Sequence, residues 1–315
     1  MNSFLNFKFM NQKAMDRVLI SLLPIIFFGI GSFGWRVLFV VLVSVIFAFL
    51  TEWFFKRKTN KPYTKAIFVS AILFALTLPP RTPYWIVALG IVFGITFARE
   101  VFGGFGRNVF NPAITARAFV YVNFSNYLTA QWSASSDGLL TGFTKYITEP
   151  IDVLAQSTPM LIYRESGELT SYFDVIIGNI SGSIGEVSAV LIILAGIYLV
   201  LKKAAYKETI ISVILGFVGM SIIFNLLGVA QVPNPLWGIF SGGLLFGAVF
   251  MATDPITSPK TYLGRWIYGI MIGVITVVIR GFALFAGGIM FAILVANIFV
   301  PILDVGVNQL KKRGA

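Results

Sequence analysis

Arg36-Val-Leu-Phe-Val-Val-Leu-Val-Ser-Val-Ile-Phe-Ala-Phe-Leu-Thr-Glu-Trp-Phe-Phe55 is an almost unbroken apolar run that ends on Lys56-Arg57-Lys58. A hydrocarbon core of about 30 Å takes roughly 20 helical residues to cross, which is the length of this run. In water its branched and aromatic side chains would be exposed on every face of a helix, so the solvent it suits is lipid. The basic cluster at one end marks where a span meets the membrane surface.

The rest of the chain repeats the pattern. Of 315 residues, 57% are hydrophobic and 12% are charged, against roughly 45–50% and about 25% in soluble domains. Further apolar stretches cover 17–34, 66–80, 82–99, 113–129, 186–202, 208–231, 235–253, 264–280 and 281–303. Together they predict an all-α polytopic membrane protein of about ten transmembrane helices, the third and ninth carrying the weakest signal. The first stretch follows Lys8, Lys13 and Arg17 and runs through Gly29 to Gly34 without a small-x-small cleavage pattern, so it reads as a retained helix.

Charge supports the count. With both termini cytoplasmic, every Lys and Arg falls on the inner side except Arg36, Arg81, Lys145, Arg164 and Arg280, as the positive-inside bias requires. The net charge of +11 is thereby accounted for by insertion topology, and nucleic acid is excluded as a partner. The predicted organisation is a cytoplasmic segment 1–16, a five-helix half 17–129, an external loop 130–185, a second five-helix half 186–303 and a basic cytoplasmic tail 304–315. The loop holds Asp137, Glu149, Asp152, Glu165, Glu168 and Asp174 against Lys145 and Arg164. An odd number of helices per half orients the halves oppositely, as in inverted-repeat transporters. A second similarity cuts across this: Pro83-Tyr-Trp85 with Phe93-Gly94 and Phe97-Ala98 echoes Pro235-Leu-Trp237 with Phe246-Gly247 and Phe250-Met-Ala252. Both of those helices run in one direction, and the sequence leaves open whether this is a repeat or coincidence.

The chain has no Cys and no His, which removes thiolate and imidazole metal ligands, Cys and His nucleophiles and axial haem ligation. No catalytic side chain and no metal site is expected, and redox chemistry requires an organic cofactor or a partner. Four polar stretches stand out. Gly103-Gly-Phe-Gly-Arg-Asn-Val-Phe-Asn-Pro-Ala113 suits either a helix connection or close backbone approach to a cofactor, with Pro112 at a first helical turn. Arg117 inside the next apolar stretch either snorkels or faces a cavity. Ala252-Thr-Asp-Pro-Ile-Thr-Ser-Pro259 places Asp254 where it caps a turn. Ser181-Gly-Ser-Ile-Gly-Glu-Val-Ser188 opens a helix with small residues, as anion-receiving helix ends do. In the loop, Asp152-Val-Leu-Ala-Gln-Ser-Thr158-Pro159 reads by itself as a turn.

Taken in order, Leu78-Pro-Pro80, Phe102 to Ala113 with Ala116-Arg-Ala-Phe119, Gly182-Ser-Ile-Gly-Glu186, Ala252-Thr-Asp-Pro255, Ser258-Pro259 and Asn297 with Pro301 and Asp304 resemble the NqrB/RnfD family of bacterial membrane subunits. The resemblance implies a flavin-carrying electron-transfer subunit of an ion-translocating oxidoreductase in a bacterial or archaeal inner membrane, inactive alone and coupled to Na+ or H+. It implies FMN esterified through its phosphate to Thr158 by a separate flavin transferase, with Asp152 and Ser157 in the same motif. Ser157 stands where the family has Ala, and Ala155 where it has a hydroxyl residue. A non-covalent riboflavin is implied toward the inner side, for which Gly103, Gly104, Arg107, Asn108, Asn111, Arg117, Asp254 and Thr257 are the candidates. The partners implied are iron–sulfur and flavin subunits of an Rnf-type ferredoxin:NAD complex, the Rnf branch being indicated by the roughly sixteen residues before the first helix. An NqrB-like subunit of a Na+-translocating NADH:quinone reductase is the alternative, and a solute channel of inverted five-helix repeats is the alternative from another class.

Overall fold

The computed structural model describes residues 8–58, 61–129, 132, 141–144, 157–283 and 288–313. The described chain is helical, its only strand-like feature being an isolated bridge between Phe9 and Tyr63. In order the α-helices are α1 (Lys13–Phe33), α2 (Arg36–Lys56), α3 (Ala66–Leu76), α4 (Tyr84–Ile95), α5 (Pro112–Asn123), α6 (Ser125–Thr129), α7 (Pro159–Ser166), α8 (Tyr172–Ile177), α9 (Ala189–Leu201), α10 (Lys207–Leu226), α11 (Pro235–Phe240), α12 (Leu244–Phe246), α13 (Tyr262–Phe282) and α14 (Ile289–Arg313). Two five-residue π-helices, Thr96–Glu100 and Gly247–Met251, extend α4 and α12.

Among the described residues five helices are long and apolar enough to cross a membrane: α1, α2, α10, α13 and α14. The chain is a multi-pass membrane protein, and each of the ten predicted apolar stretches contains helix, though only these five are long enough by themselves to span. The third, fifth and sixth predicted stretches are helices of 11, 12 and 13 residues, and the fourth is the 12 residues of α4 continued by the five of its π-helix. The eighth is interrupted at Ser241–Gly243 between α11 and α12. Hydropathy windows sum side chains and do not register where the backbone leaves the helix. The ninth, weak by hydropathy because of Gly and Arg, is an uninterrupted helix of 21 residues.

On α2, Ser44, Ala48, Thr51 and Glu52 are buried, whereas Phe39, Leu42, Ile46, Leu50 and Phe54 are exposed. On this helix the largest apolar groups face outward and small or polar ones face its neighbours, as suits hydrocarbon outside, while the core elsewhere also packs large groups such as Phe74, Phe217 and Trp237. Gly269 and Gly273 let α13 meet α10 closely. A Cβ at Gly273 would sit 2.3 Å from the Val213 carbonyl oxygen, and one at Gly269 would overlap the Ser212 hydroxyl.

Elements that the charge pattern assigns to one side touch one another. Arg36 donates to the carbonyls of Pro80 (3.2 Å) and Arg81 (3.2 Å), and Arg164 donates to that of Ala283. At the other end Arg17 donates to the Lys202 carbonyl, and Asp304 accepts from the Lys260 amide at 3.0 Å.

The segment 157–188 lies against the bundle. Tyr163 donates to Ala230 O at 2.9 Å, and Trp237 Nε1 to Thr170 O at 2.9 Å. Its end is buried among the helices: the Gly185 and Ile184 amides donate to the carbonyls of Leu76 (2.7 Å) and Leu78 (3.1 Å) just where Pro79 and Pro80 stop α3.

Candidate functional site

Thr158 is the N-cap of α7, with extended backbone and Oγ1 accepting from the Leu161 amide at 3.4 Å, and Pro159 occupies the first helical position. Both are the residue types a helix start favours. Thr158 opens onto a cavity of ≈ 120 Å³, reaching ≈ 1100 Å³ of empty space when its open mouth is counted. Its walls come from α5 (Ile114, Arg117, Tyr121), Trp132, the segment Ile180–Val187, the break at Gly242–Gly243, the π-helix (Gly247, Met251) and the start of α14 (Ile289, Met290).

The break in the eighth stretch shapes this cavity. Gly242 takes a φ of +68°, in the left-handed region, and a Cβ there would lie 3.3 Å from Arg280 Nη2. A Cβ on Gly243 would lie 2.4 Å from Glu186 Oε1, so the carboxylate rests against bare backbone. Arg280, 2% exposed, donates to the carbonyls of Gly238 (2.8 Å) and Ser241 (3.0 Å), satisfying groups left free where α11 ends. Glu186 acts electrostatically on both Arg117 and Arg280. Among the described residues Arg117 Nη1, Trp132 Nε1 and Ser183 Oγ are buried without a hydrogen-bond partner, and all three belong to residues that line the cavity.

A second, smaller cavity of ≈ 50 Å³, reaching ≈ 670 Å³ of empty space when its open mouth is counted, lies on the other face of the same wall. Arg99, Asn108, Asn111, Thr253 and Asp254 line it together with Phe105, Val249 and Phe250. Asn111 caps α5, accepting from the Ala113 (3.0 Å) and Ile114 (3.4 Å) amides, while its Nδ2 donates to Met251 O at 3.4 Å. Asp254 accepts from the Ile256 amide (3.2 Å) and the Thr257 hydroxyl (2.9 Å), the turn-capping role its sequence position suggests. Burial pushes its carboxyl up, against the lowering effect of those two bonds and of Arg99. Asn108 Oδ1 is buried without a partner among the described residues.

The candidates read from the sequence therefore divide. Asn108, Asn111 and Asp254 meet in the small cavity, with Thr257 bonded to Asp254 and its carbonyl accepting from Asn297 at 3.0 Å. Arg117 does not join them; it lines the Thr158 cavity. Gly103 and Arg107 are exposed and line neither. Gly103 and Gly104 have φ of +104° and +92°, and the Arg107 side chain folds back over Gly103. Ser157 is half-buried beside Thr158, and Asp152 lies outside the described residues. Sequence reasoning missed Arg280, Gly242 and Gly243, although a glycine pair within an apolar stretch and a cation at the end of one were visible signals.

A buried charge cluster stands beside the small cavity. Glu52 Oε1 accepts from Lys56 Nζ (2.6 Å), Thr64 Oγ1 (3.0 Å) and Arg99 Nη2 (2.9 Å), and Glu52 and Arg99 are 0% and 2% exposed. No group of three or more potential metal ligands occurs among the described residues.

The family profile described as "NQR2, RnfD, RnfE family" matches residues 2–312. The B component of the Na(+)-translocating NADH-quinone reductase of Haemophilus influenzae (strain PittEE) is 37% identical over 296 residues, covering 89% of this chain and 69% of that protein. The protein of the same name from Ectopseudomonas mendocina (strain ymp) is 37% identical over 275 residues, 82% of this chain and 63% of its own length. That from Stutzerimonas stutzeri (strain A1501) is 38% identical over 274 residues, again 82% and 63%.

Proposed function

The chain belongs to the NQR2, RnfD, RnfE family, as a subunit of a membrane ion-translocating oxidoreductase, and from that premise we propose that it carries FMN esterified to Thr158 and passes electrons between its two cavities. The observation that carries this reading is the position of Thr158, a helix-capping hydroxyl lining a cavity that also holds donors unpaired among the described residues. A phosphate on Oγ1 would sit at the N-terminus of α7, where amide groups and the helix dipole favour an anion. No His exists to deprotonate the hydroxyl, so attachment requires the flavin transferase, and Thr158 is an anchor rather than a nucleophile in turnover. FMN, when bound, supplies the reversible acceptance and release of electrons.

The chain's own part is to hold and orient the cofactor and to keep water from the wall between the cavities. That wall is the π-helix Gly247–Met251 with the first turns of α5: Gly247 and Met251 face the Thr158 cavity, Val249 and Phe250 the other. Its thickness is that of one helix, about 10 Å. The small cavity, with Asn108, Asn111 and Asp254, is the proposed place for a second, non-covalent flavin; Gly103, Gly104 and Arg107 are not retained for it.

The motif resemblance carries the Rnf-type, ferredoxin:NAD reading, with iron–sulfur and flavin subunits as partners and the flavin loop on the outer face of the inner membrane. The names of the relatives favour a second reading, the corresponding component of a Na+-translocating NADH:quinone reductase. Co-purification with an iron–sulfur subunit that reacts with ferredoxin selects the first; its absence together with quinone reduction selects the second. The flavin claim itself is tested on a denaturing gel after co-expression with the transferase. Wild-type protein is expected to fluoresce and Thr158→Val to be dark at equal loading; a non-fluorescent wild-type band would defeat the proposal.

A further inference from the structure

Arg117 sits six residues along α5 from Asn111, about 9 Å of helical rise, and this step carries it through the wall from the small cavity to the Thr158 cavity. There its Nη1, Trp132 Nε1 and Ser183 Oγ are buried without partners among the described residues, and Ser183 is 1% exposed. Three unsatisfied donors around one cavity are costly in an empty site. The cost is recovered if the site receives a group rich in acceptors. Glu186 shares the cavity without forming an ion pair with Arg117 among the described residues, so the cation is left available to a ligand.

We propose that this cavity holds the isoalloxazine ring of the Thr158-linked FMN, with Arg117, Trp132 and Ser183 donating to the oxygen- and nitrogen-rich pyrimidine edge of the ring, and that Arg117 and Glu186 set its reduction potential in opposite directions. The inference rests on the reading of Thr158 as the FMN anchor. The chemistry follows from charge. The pyrimidine edge offers N1 and two carbonyl oxygens as acceptors, and reduction places more negative charge there. A guanidinium facing that edge in a low-dielectric site stabilises the reduced form more than the oxidised one and raises the potential. The carboxylate of Glu186, held against the Gly243 backbone, opposes it and lowers the potential.

The test uses the full chain co-expressed with the flavin transferase, as wild type, Arg117→Gln, Arg117→Lys and Glu186→Gln. Each is digested to map FMN and titrated potentiometrically by flavin absorbance. The expected order of midpoint potential is Glu186→Gln highest, then wild type, then Arg117→Gln. The displacement in the reduction equilibrium for Arg117→Gln is about tenfold, which is about 30 mV for a two-electron couple. Arg117→Lys restores part of the loss. A purely structural role for the two residues would not displace the potential in opposite senses. FMN on Thr158 in all proteins with potentials that agree within twofold in equilibrium overturns the inference and leaves the anchor intact. Absence of FMN from Thr158 in wild type overturns both. Should Arg117→Gln fail to fold, Glu186→Gln carries the test, and an unchanged or lowered potential there refutes the inference.

Discussion

On the proposed reading, Thr158 serves two purposes that are separable by substitution. As an N-cap it accepts one amide hydrogen bond, worth about 1 kcal/mol, so Thr158→Val is expected to fold while losing its flavin, and Thr158→Ser to keep both. Glu52 is different in kind, since it is fully buried and compensates Lys56 and Arg99. Glu52→Gln removes the carboxylate that Lys56 and Arg99 share, leaving Arg99 only the weaker pair with Glu100 at 3.4 Å, and is expected to cost about 3–5 kcal/mol. A clear fall in the midpoint of thermal unfolding, followed by tryptophan fluorescence in detergent, checks this; an unchanged midpoint would show that the cluster contributes nothing. At this scale the sequence is informative where local rules apply. Asp254 makes the cap that its position suggests, and Asn111, before Pro112, caps α5 in the same way. Arg117 lines the other cavity from the one its place in the sequence suggests, because spacing along a helix does not tell which of two cavities lies at a given depth.

Among the elements, the interrupted stretch 235–251 does most to shape the Thr158 cavity. Its halves meet at Gly242–Gly243, and Arg280 from α13 binds the carbonyls at the end of α11. Removing the guanidinium takes from the Ser241 carbonyl its donor and leaves Gly238 O only the Ser241 hydroxyl at 3.5 Å, a loss of about 1–3 kcal/mol for the unpaired acceptor. Arg280→Gln is expected to lower the thermal midpoint and reduce FMN content together, measured on one preparation. Loss of stability with full flavin loading would show that the break does not position the site. Hydropathy locates nearly every helix but not this break, since the residues on both sides are equally apolar. The echo between Pro83-Tyr-Trp85 and Pro235-Leu-Trp237 has a structural counterpart: each proline adjoins or occupies the first turn of a helical stretch that ends in a five-residue π-helix. Such π segments gather at functional sites, and here they border the two polar loops.

For the whole molecule, fold class follows from composition and periodicity, because lipid as solvent leaves helices as the only way to satisfy the backbone without closing a barrel. Five of the ten predicted stretches are long continuous helices and the others are shorter or broken, because where a helix shortens or breaks depends on tertiary contacts that a hydropathy window does not contain. Sidedness remains a prediction of the charge pattern. The absence of cysteine makes it directly testable with single reporters at exposed positions. Glu168→Cys is expected to react with a membrane-impermeant maleimide on intact cells, and Lys260→Cys only after permeabilisation. The reverse pattern would place Thr158 on the cytoplasmic side and exclude an outer flavin.

The most direct measurement is peptide mass spectrometry of the segment containing Thr158, from full chain made with and without the flavin transferase. The account predicts an FMN phosphoester on Thr158 only when the transferase is present, and none on Ser157. An unmodified Thr158 peptide under conditions where the transferase is active would contradict it.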